Sequence, residues 1–230
     1  MKIRIEPQVF EKFHEEFMVG VISCSDISLK GNSSDLQEML HDVEELIRVS
    51  FNPDTVANHQ MVSAWKAAVA HFGEKATHYQ TNAEKMIRTI LEGKEVPHSD
   101  KLIDLCNFIS LKYIIPLGVF DVQKVESPLF FTLAKGDETF SQKKEAIEPG
   151  ELLLCDGEDV LARKLYYVQN PKAHVTVKTK NALITLEALP PINEDKLAAY
   201  VDELAGLIRI FCGGKFKKVI LSKRKMSADT

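Results

Sequence analysis

Hydrophobic positions change period from block to block along this chain. Met1-Lys2-Ile3-Arg4-Ile5-Glu6 alternates apolar with polar, and Phe17 to Cys24 carries Val19, Val21 and Ile22, so the start predicts strands over Lys2 to Ile5 and Phe17 to Cys24. Helical spacing follows. Leu36, Met39, Leu40, Val43, Leu46 and Ile47 share one helix face behind a capping box of Ser34 and Gln37. Met61, Val62, Trp65, Ala68, Val69 and Phe72 form a second stripe that Gly73 can end in a left-handed cap. Thr81 with Glu84 opens a third helix through Met86, Ile87, Ile90 and Leu91, closed by Gly93. A fourth begins near Asp100 and runs to Tyr113, where Pro116 and Gly118 halt it.

Short extended runs then take over: Leu129 to Ala134, Glu151 to Cys155, Val160 to Leu165, Val175 to Val177 and Ala182 to Leu189. Turn residues at Lys135-Gly136-Asp137, Pro149-Gly150, Asp156-Gly157 and Asn170-Pro171 separate them. A last helix, capped by Asn193, carries Leu197, Val201, Leu204, Ile208 and Phe211; Gly213-Gly214 breaks it before a strand over Lys218 to Leu221. Helices and strands in blocks, without regular alternation, point to an α+β fold. The expected organisation is a single domain over residues 1–230, with its core at 100–190, a strand-and-helix extension at 1–99 and a closing helix and strand at 193–222.

Two polar residues interrupt apolar surroundings. The run Ala182-Leu183-Ile184-Thr185-Leu186-Glu187-Ala188-Leu189 is apolar on both alternating faces, the signature of a central strand. An unpartnered carboxylate at Glu187 would cost several kcal/mol of desolvation there, so it needs a partner or a role. On the helix through Leu102 to Leu111, Asn107 falls between Ile103 and Leu111 on an otherwise apolar circumference. Its amide either staples the helix to a neighbouring loop or lines a pocket, whose backbone wall the turn Ile115 to Asp121 can supply. A purely structural Glu187–Asn107 pair is the plain alternative.

Composition narrows the function classes. A net charge of −4 over 230 residues speaks against a uniformly basic nucleic-acid binder. Locally, however, Gly214 to Lys225 carries Lys215, Lys217, Lys218, Lys223, Arg224 and Lys225 with no acid, which suits either phosphate contact or a lysine-guarded edge strand. Arg163, Lys164, Tyr166 and Tyr167, followed by Lys178 and Lys180, interleave cations with rings as single-stranded RNA sites do, although alternating exposed strands give the same letters. The four cysteines, Cys24, Cys106, Cys155 and Cys212, sit singly in apolar segments and read as buried thiols. No G-x-S-x-G, P-loop, G-x-G-x-x-G or H-E-x-x-H motif occurs, and His71, His78, His98 and His174 lack metal-ligand spacing. No cofactor or metal is expected. The start reads as a strand and not as a signal region, and no apolar run reaches the roughly 18 residues of a membrane span, so the expectation is a cytoplasmic protein.

The order of segments resembles a known family. Asp104 to Tyr113, Pro116-Leu117-Gly118-Val119-Phe120-Asp121, the pair of strands through Ala134-Lys135-Gly136-Asp137, and Thr179 to Ala188 are similar to the editing module of the bacterial phenylalanyl-tRNA synthetase beta subunit, the B3/B4 tRNA-binding domain. Ala64-Trp65-Lys66 and Phe72-Gly73 resemble its free-standing members, which lack an aminoacylation domain. The resemblance implies an α+β fold with a mixed or antiparallel sheet packed with helices. It also implies hydrolysis of a wrong amino acid, chiefly tyrosine, from the tRNA for phenylalanine, the second sieve needed when side chains differ too little for one binding step. The partners implied are tRNA or aminoacyl-tRNA and a small amino acid; a non-catalytic amino-acid or RNA-binding module is the alternative. Glu187 matches the family's pocket glutamate and Asn107 a pocket asparagine, with Gly118, Ser110 and Thr185 beside them. Arg163, Lys164, Lys178, Lys180, Lys217 and Lys218 are the candidates for RNA contact. Two departures stand out: Gly118 replaces a histidine of the synthetase, and Lys164-Leu165-Tyr166-Tyr167 stands where the synthetase has a Met-Gly-Gly loop.

Overall fold

The computed structural model describes residues 1–31, 33–70, 80–140, 145–166 and 168–230. Phe72, Gly73, His71, His78 and Tyr167 lie outside the described residues. Two sheets and a helical layer form an α+β fold. The first sheet has four antiparallel strands in the order β11 (Lys215–Leu221), β2 (Met18–Ser25), β10 (Ala182–Ala188) and β3 (Leu117–Asp121). The second, mixed sheet runs β12 (Ser227–Asp229), β1 (Lys2–Ile5), β4 (Leu129–Leu133), β7 (Leu152–Cys155), β8 (Val160–Arg163) and β9 (Val168–Gln169), with β1 and β4 parallel. A two-stranded ladder pairs β5 (Thr139–Phe140) with β6 (Glu145–Ala146).

Every residue of β10 is buried, as its doubly apolar pattern requires of a strand covered on both faces. Ile184, Leu186 and Ala188 face the helices α5 (Lys101–Tyr113) and α6 (Glu194–Cys212), packing among Leu105, Ile109, Leu197 and Val201. Leu183 and Leu189 face the other way and join Ile3, Ile5, Phe131, Leu152 and Leu154 of the mixed sheet. Each fully buried leucine or isoleucine contributes roughly 1.5–3 kcal/mol, so this doubly covered strand anchors both layers. Outside α5, helices α2 (Ser34–Ser50) and α4 (Asn82–Leu91) build a third apolar cluster around Leu40, Val43, Ile87 and Leu111. Helices α1 (Pro7–Lys12) and α3 (Gln60–Val69) flank the inter-sheet core, where Phe13, Phe17 and Trp65 meet edge-on or stacked.

Several boundaries differ from expectation for local reasons. Ser33, not Ser34, caps α2, its hydroxyl accepting from Leu36 N at 3.3 Å. Ile114 in the left-handed region (φ 53) ends α5, with the Ser110 hydroxyl donating to Ile115 O at 2.7 Å; Gly118 instead lies inside β3, so Ile115 to Asp121 is largely a buried strand and no turn. Val175 to Val177 forms no strand, because Thr179 Oγ1 accepts from Thr176 N at 2.9 Å and closes a turn. The basic stretch after Gly214 is mostly β11, paired along its length with β2. The Thr81 cap on α4 forms as expected, with Oγ1 accepting from Glu84 N at 3.1 Å. Among the described residues no helix is long and apolar enough to cross a membrane.

Candidate functional site

Asn107 and Glu187 do not share a pocket: the four-stranded sheet lies between them. Asn107 projects from α5 toward the helical side, whereas Glu187 alternates with Leu186 and points at the mixed sheet. The sequence reading joined them because helix-face and strand-face periodicities are separate signals, and neither says which side of the sheet the helix covers.

On the Asn107 side an open cavity of about 280 Å³ lies between α5, the edge strand β3 and the segment Gln169 to Val175. Ile103, Cys106, Leu117, Val119 and Val175 give it apolar walls; Asn82, Ser99, Asn107, Ser110, Gln169 and His174 give it polar groups. Asp100 fixes the start of α5 by accepting from Leu102 N and Ile103 N at 3.0 and 3.1 Å. Asn82 holds the β3 edge like a neighbouring strand: its Nδ2 donates to Leu117 O at 2.7 Å and its Oδ1 accepts from Leu117 N at 3.4 Å. Ser110 spends its hydroxyl on Ile115 O. Asn107 is half-buried and makes no side-chain hydrogen bond to the described residues, so its amide is open to a ligand. His174 stands exposed at the mouth, where partial burial and the nearby Lys124 lower its pKa and favour the neutral imidazole. Burial pushes the Cys106 thiol well above its ordinary range, which removes it as a thiolate nucleophile.

On the opposite face the Glu187 carboxyl is completely buried. The Tyr166 hydroxyl donates to Glu187 Oε1 and lies 2.7 Å from Thr185 Oγ1, while Glu187 Oε2 has no partner among the described residues. Burial pushes the Glu187 pKa up to about 8, against the lowering effect of the hydrogen bonds from Tyr166 and Thr185. Burial, then the charge of Glu187, raises the Tyr166 phenol well above its ordinary value, so both groups hold their protons at neutral pH. The Tyr166 ring lies directly over Gly118, where an added Cβ would come within 2.3 Å of ring Cε1. Gly118 and Thr185 therefore belong with Glu187 around this filled pocket, and Asn107 and Ser110 with the open one. Sequence reading set Tyr166 among cations as a ring that could stack on RNA and noted its departure from the synthetase loop, whereas the ring is buried over Gly118; it passed over Asn82, Gln169 and Lys124, and nothing in their local pattern distinguishes them.

The cationic candidates separate as well. Arg163 cannot meet RNA: it is 3% exposed, its Nε and Nη2 donate to Glu151 at 2.9 and 2.8 Å, and Nη1 donates to Ala146 O at 3.1 Å. This buried bidentate pair is a core contact. Lys164 is half-buried, its backbone N–H donating to Glu151 Oε1 at 3.2 Å. Lys178 and Lys180 are exposed just before β10, at the sheet end that carries Asp121 and Lys215. Lys124, also there, donates to His174 O at 2.6 Å and ties this end to the cavity mouth. Lys217 and Lys218 lie on β11, the opposite edge from β3, and Lys218 pairs with Asp202. Three strand spacings, roughly 14 Å, separate them from the cavity edge.

The sequence matches the B3/4 domain over residues 64–213. Among solved structures, an N-terminal fragment of the phenylalanyl-tRNA synthetase beta subunit from Pyrococcus horikoshii matches with 14% identity and a TM-score of 0.44. The match covers 96% of this chain and 54% of that one, so the chain spans about half the length of that fragment. No curated protein matches. With more than half of its residues inside the matched segment, the chain belongs to the B3/4 domain family.

Proposed function

We propose that this protein binds the aminoacyl end of a tRNA in the cavity beside α5 and releases the amino acid from mischarged aminoacyl-tRNA in trans. The observation that carries the reading is the open cavity of about 280 Å³ with unengaged Asn107, neutral-leaning His174 and a lysine-bearing rim in one place. Family membership supports it, because the resemblance in the sequence is to a tRNA-editing module. In this reading Asn107 and Gln169 hold the aminoacyl or ribose polar groups, and Lys124, Lys178 and Lys180 meet phosphates. A water placed at His174 gives up a proton to the imidazole as its oxygen adds to the ester carbonyl; the bond from the acyl carbon to the ribose oxygen then breaks, and the ribose oxygen takes that proton back from the imidazolium.

The filled Glu187 pocket favours a second reading, a non-catalytic amino-acid or RNA-binding module. A tyrosyl side chain on Glu187 would need the volume that Tyr166 occupies. Incubation with a panel of mischarged tRNAs separates the two. Release of an amino acid, lost in His174→Ala and Asn107→Ala, supports hydrolysis. Binding of aminoacyl-tRNA with no release above buffer supports the module, and neither binding nor release overturns both.

A further inference from the structure

Between Leu117 and Asp121 the outer edge of β3 has one unpaired residue. Pro116 O accepts from Glu187 N, and Val122 N donates to Asn181 O, both at 3.1 Å. In that register residues 116, 118, 120 and 122 bond to β10, while Leu117, Val119 and Asp121 turn their N–H and C=O groups outward. At Leu117 the carboxamide of Asn82 meets both groups. At Asp121 the strand ends, its carboxylate taken up by Gln123 N and Thr179 Oγ1. Val119, buried between them, has no hydrogen bond to its outward N–H or C=O among the described residues. Buried backbone groups are nearly always paired, so this residue calls for a partner. Asn82 and Val119 line the same cavity, and the unpaired stretch of edge opens into it.

A single residue of edge is too short for an added strand, which bonds at alternate residues along its length. It fits one planar group that carries a donor and an acceptor side by side. Asn82 shows which: a primary carboxamide, whose nitrogen and oxygen meet Leu117 in this way two residues earlier. Among the described residues no acid, lysine or arginine lines the cavity, and Ile103, Leu117 and Val175 give it apolar walls. A free amino acid would bring a carboxylate that this lining leaves unpaired, whereas the ester of an aminoacyl group brings none. We propose that the cavity is a carboxamide site: Val119 N–H donates to the carboxamide oxygen and Val119 C=O accepts from its nitrogen, the ligand being the side chain of an asparaginyl or glutaminyl ester or a free amide. A carboxylate of the same shape is rejected, because its second oxygen faces the Val119 carbonyl with no proton between them. The assignment rests on the reading of this cavity as an aminoacyl site and adds the side chain it takes.

Propionamide and propionate differ only at that group and test the assignment without tRNA. In the full chain carrying isotope-labelled valine, the Val119 amide signal is identified by its absence from Val119→Ile. Propionamide should shift that signal saturably, and propionate should need a concentration higher by about tenfold or more. With charged tRNAs, binding or release of asparaginyl- or glutaminyl-tRNA should exceed that of aspartyl- or glutamyl-tRNA by about tenfold or more. Equal responses of the Val119 amide to the two small ligands, or no saturable response to either, overturn the assignment whatever the tRNAs show. Release from tRNA without preference for a carboxamide also overturns it and leaves the hydrolytic reading standing. A propionamide response with neither binding nor release of any aminoacyl-tRNA supports the carboxamide site with a free amide as its ligand, and removes the aminoacyl reading alone.

Discussion

Replacing Glu187 by glutamine should change how stability depends on pH more than stability at any one pH. The carboxyl is fully buried and titrates at about 8 in the folded chain against an ordinary 4.5. Its folded pKa is raised, so between those values the native state holds a proton that the unfolded chain releases. Stability from this group is complete below pH 4.5, declines as pH rises and is exhausted above about 8. At about 1.36 kcal/mol per pH unit, the wild type loses about 3.5 kcal/mol from this group between pH 5 and pH 8. Glutamine keeps an acceptor for the Tyr166 hydroxyl but carries no proton to lose. Urea unfolding of both proteins from pH 5 to pH 9 isolates the effect, since every other titrating group is common and cancels in the difference. The two stability curves should converge or cross as pH rises. Parallel curves, within about 0.5 kcal/mol of a constant offset, would refute a neutral, buried Glu187.

Further expectations concern the other candidates. Arg163→Met leaves Glu151 charged and buried, which should cost about 3–5 kcal/mol in urea unfolding, while tRNA affinity per folded molecule, measured by filter binding, stays unchanged. Asn107→Ala should lower the affinity for aminoacyl-tRNA by about tenfold with a stability change within about 0.5 kcal/mol, because the amide has no hydrogen bond to lose. Lys178→Glu with Lys180→Glu should flatten the salt dependence of tRNA binding by about 2 in log–log slope, and the same change at Lys217 and Lys218 should leave it unaltered.

What the sequence discloses here is what local rules determine. The caps at Thr81 and Asn193 form as read, because a hydroxyl or amide at the N-cap needs only the backbone three residues on. The run through Leu183 to Leu189 gave away a doubly covered strand. Misplacements arise where two segments must be placed together. Arg163 reads as an exposed strand cation until Glu151, twelve positions earlier, is brought beside it through the β7–β8 pairing. Tyr166 covers Glu187 by way of three left-handed non-glycine residues, a conformation that no propensity favours. The open cavity is bounded by Asn82, Asn107 and His174, which meet only after α4, α5 and the segment after β9 have packed.

Gly118 and Tyr166 compete for a single volume, since a methyl at 118 would fall 2.3 Å from the ring. The two positions should therefore be exchanged together in evolution. A family member that acquires a side chain at 118 must shrink residue 166, and one that acquires a ring at 166 must reduce 118 to glycine. The synthetase pattern, histidine at the first position and glycines around the second, is the mirror image of this chain. Covariation at these two positions thus offers a two-letter signature for sorting B3/4 sequences by whether the carboxyl of residue 187 faces a side chain of its own protein or open space.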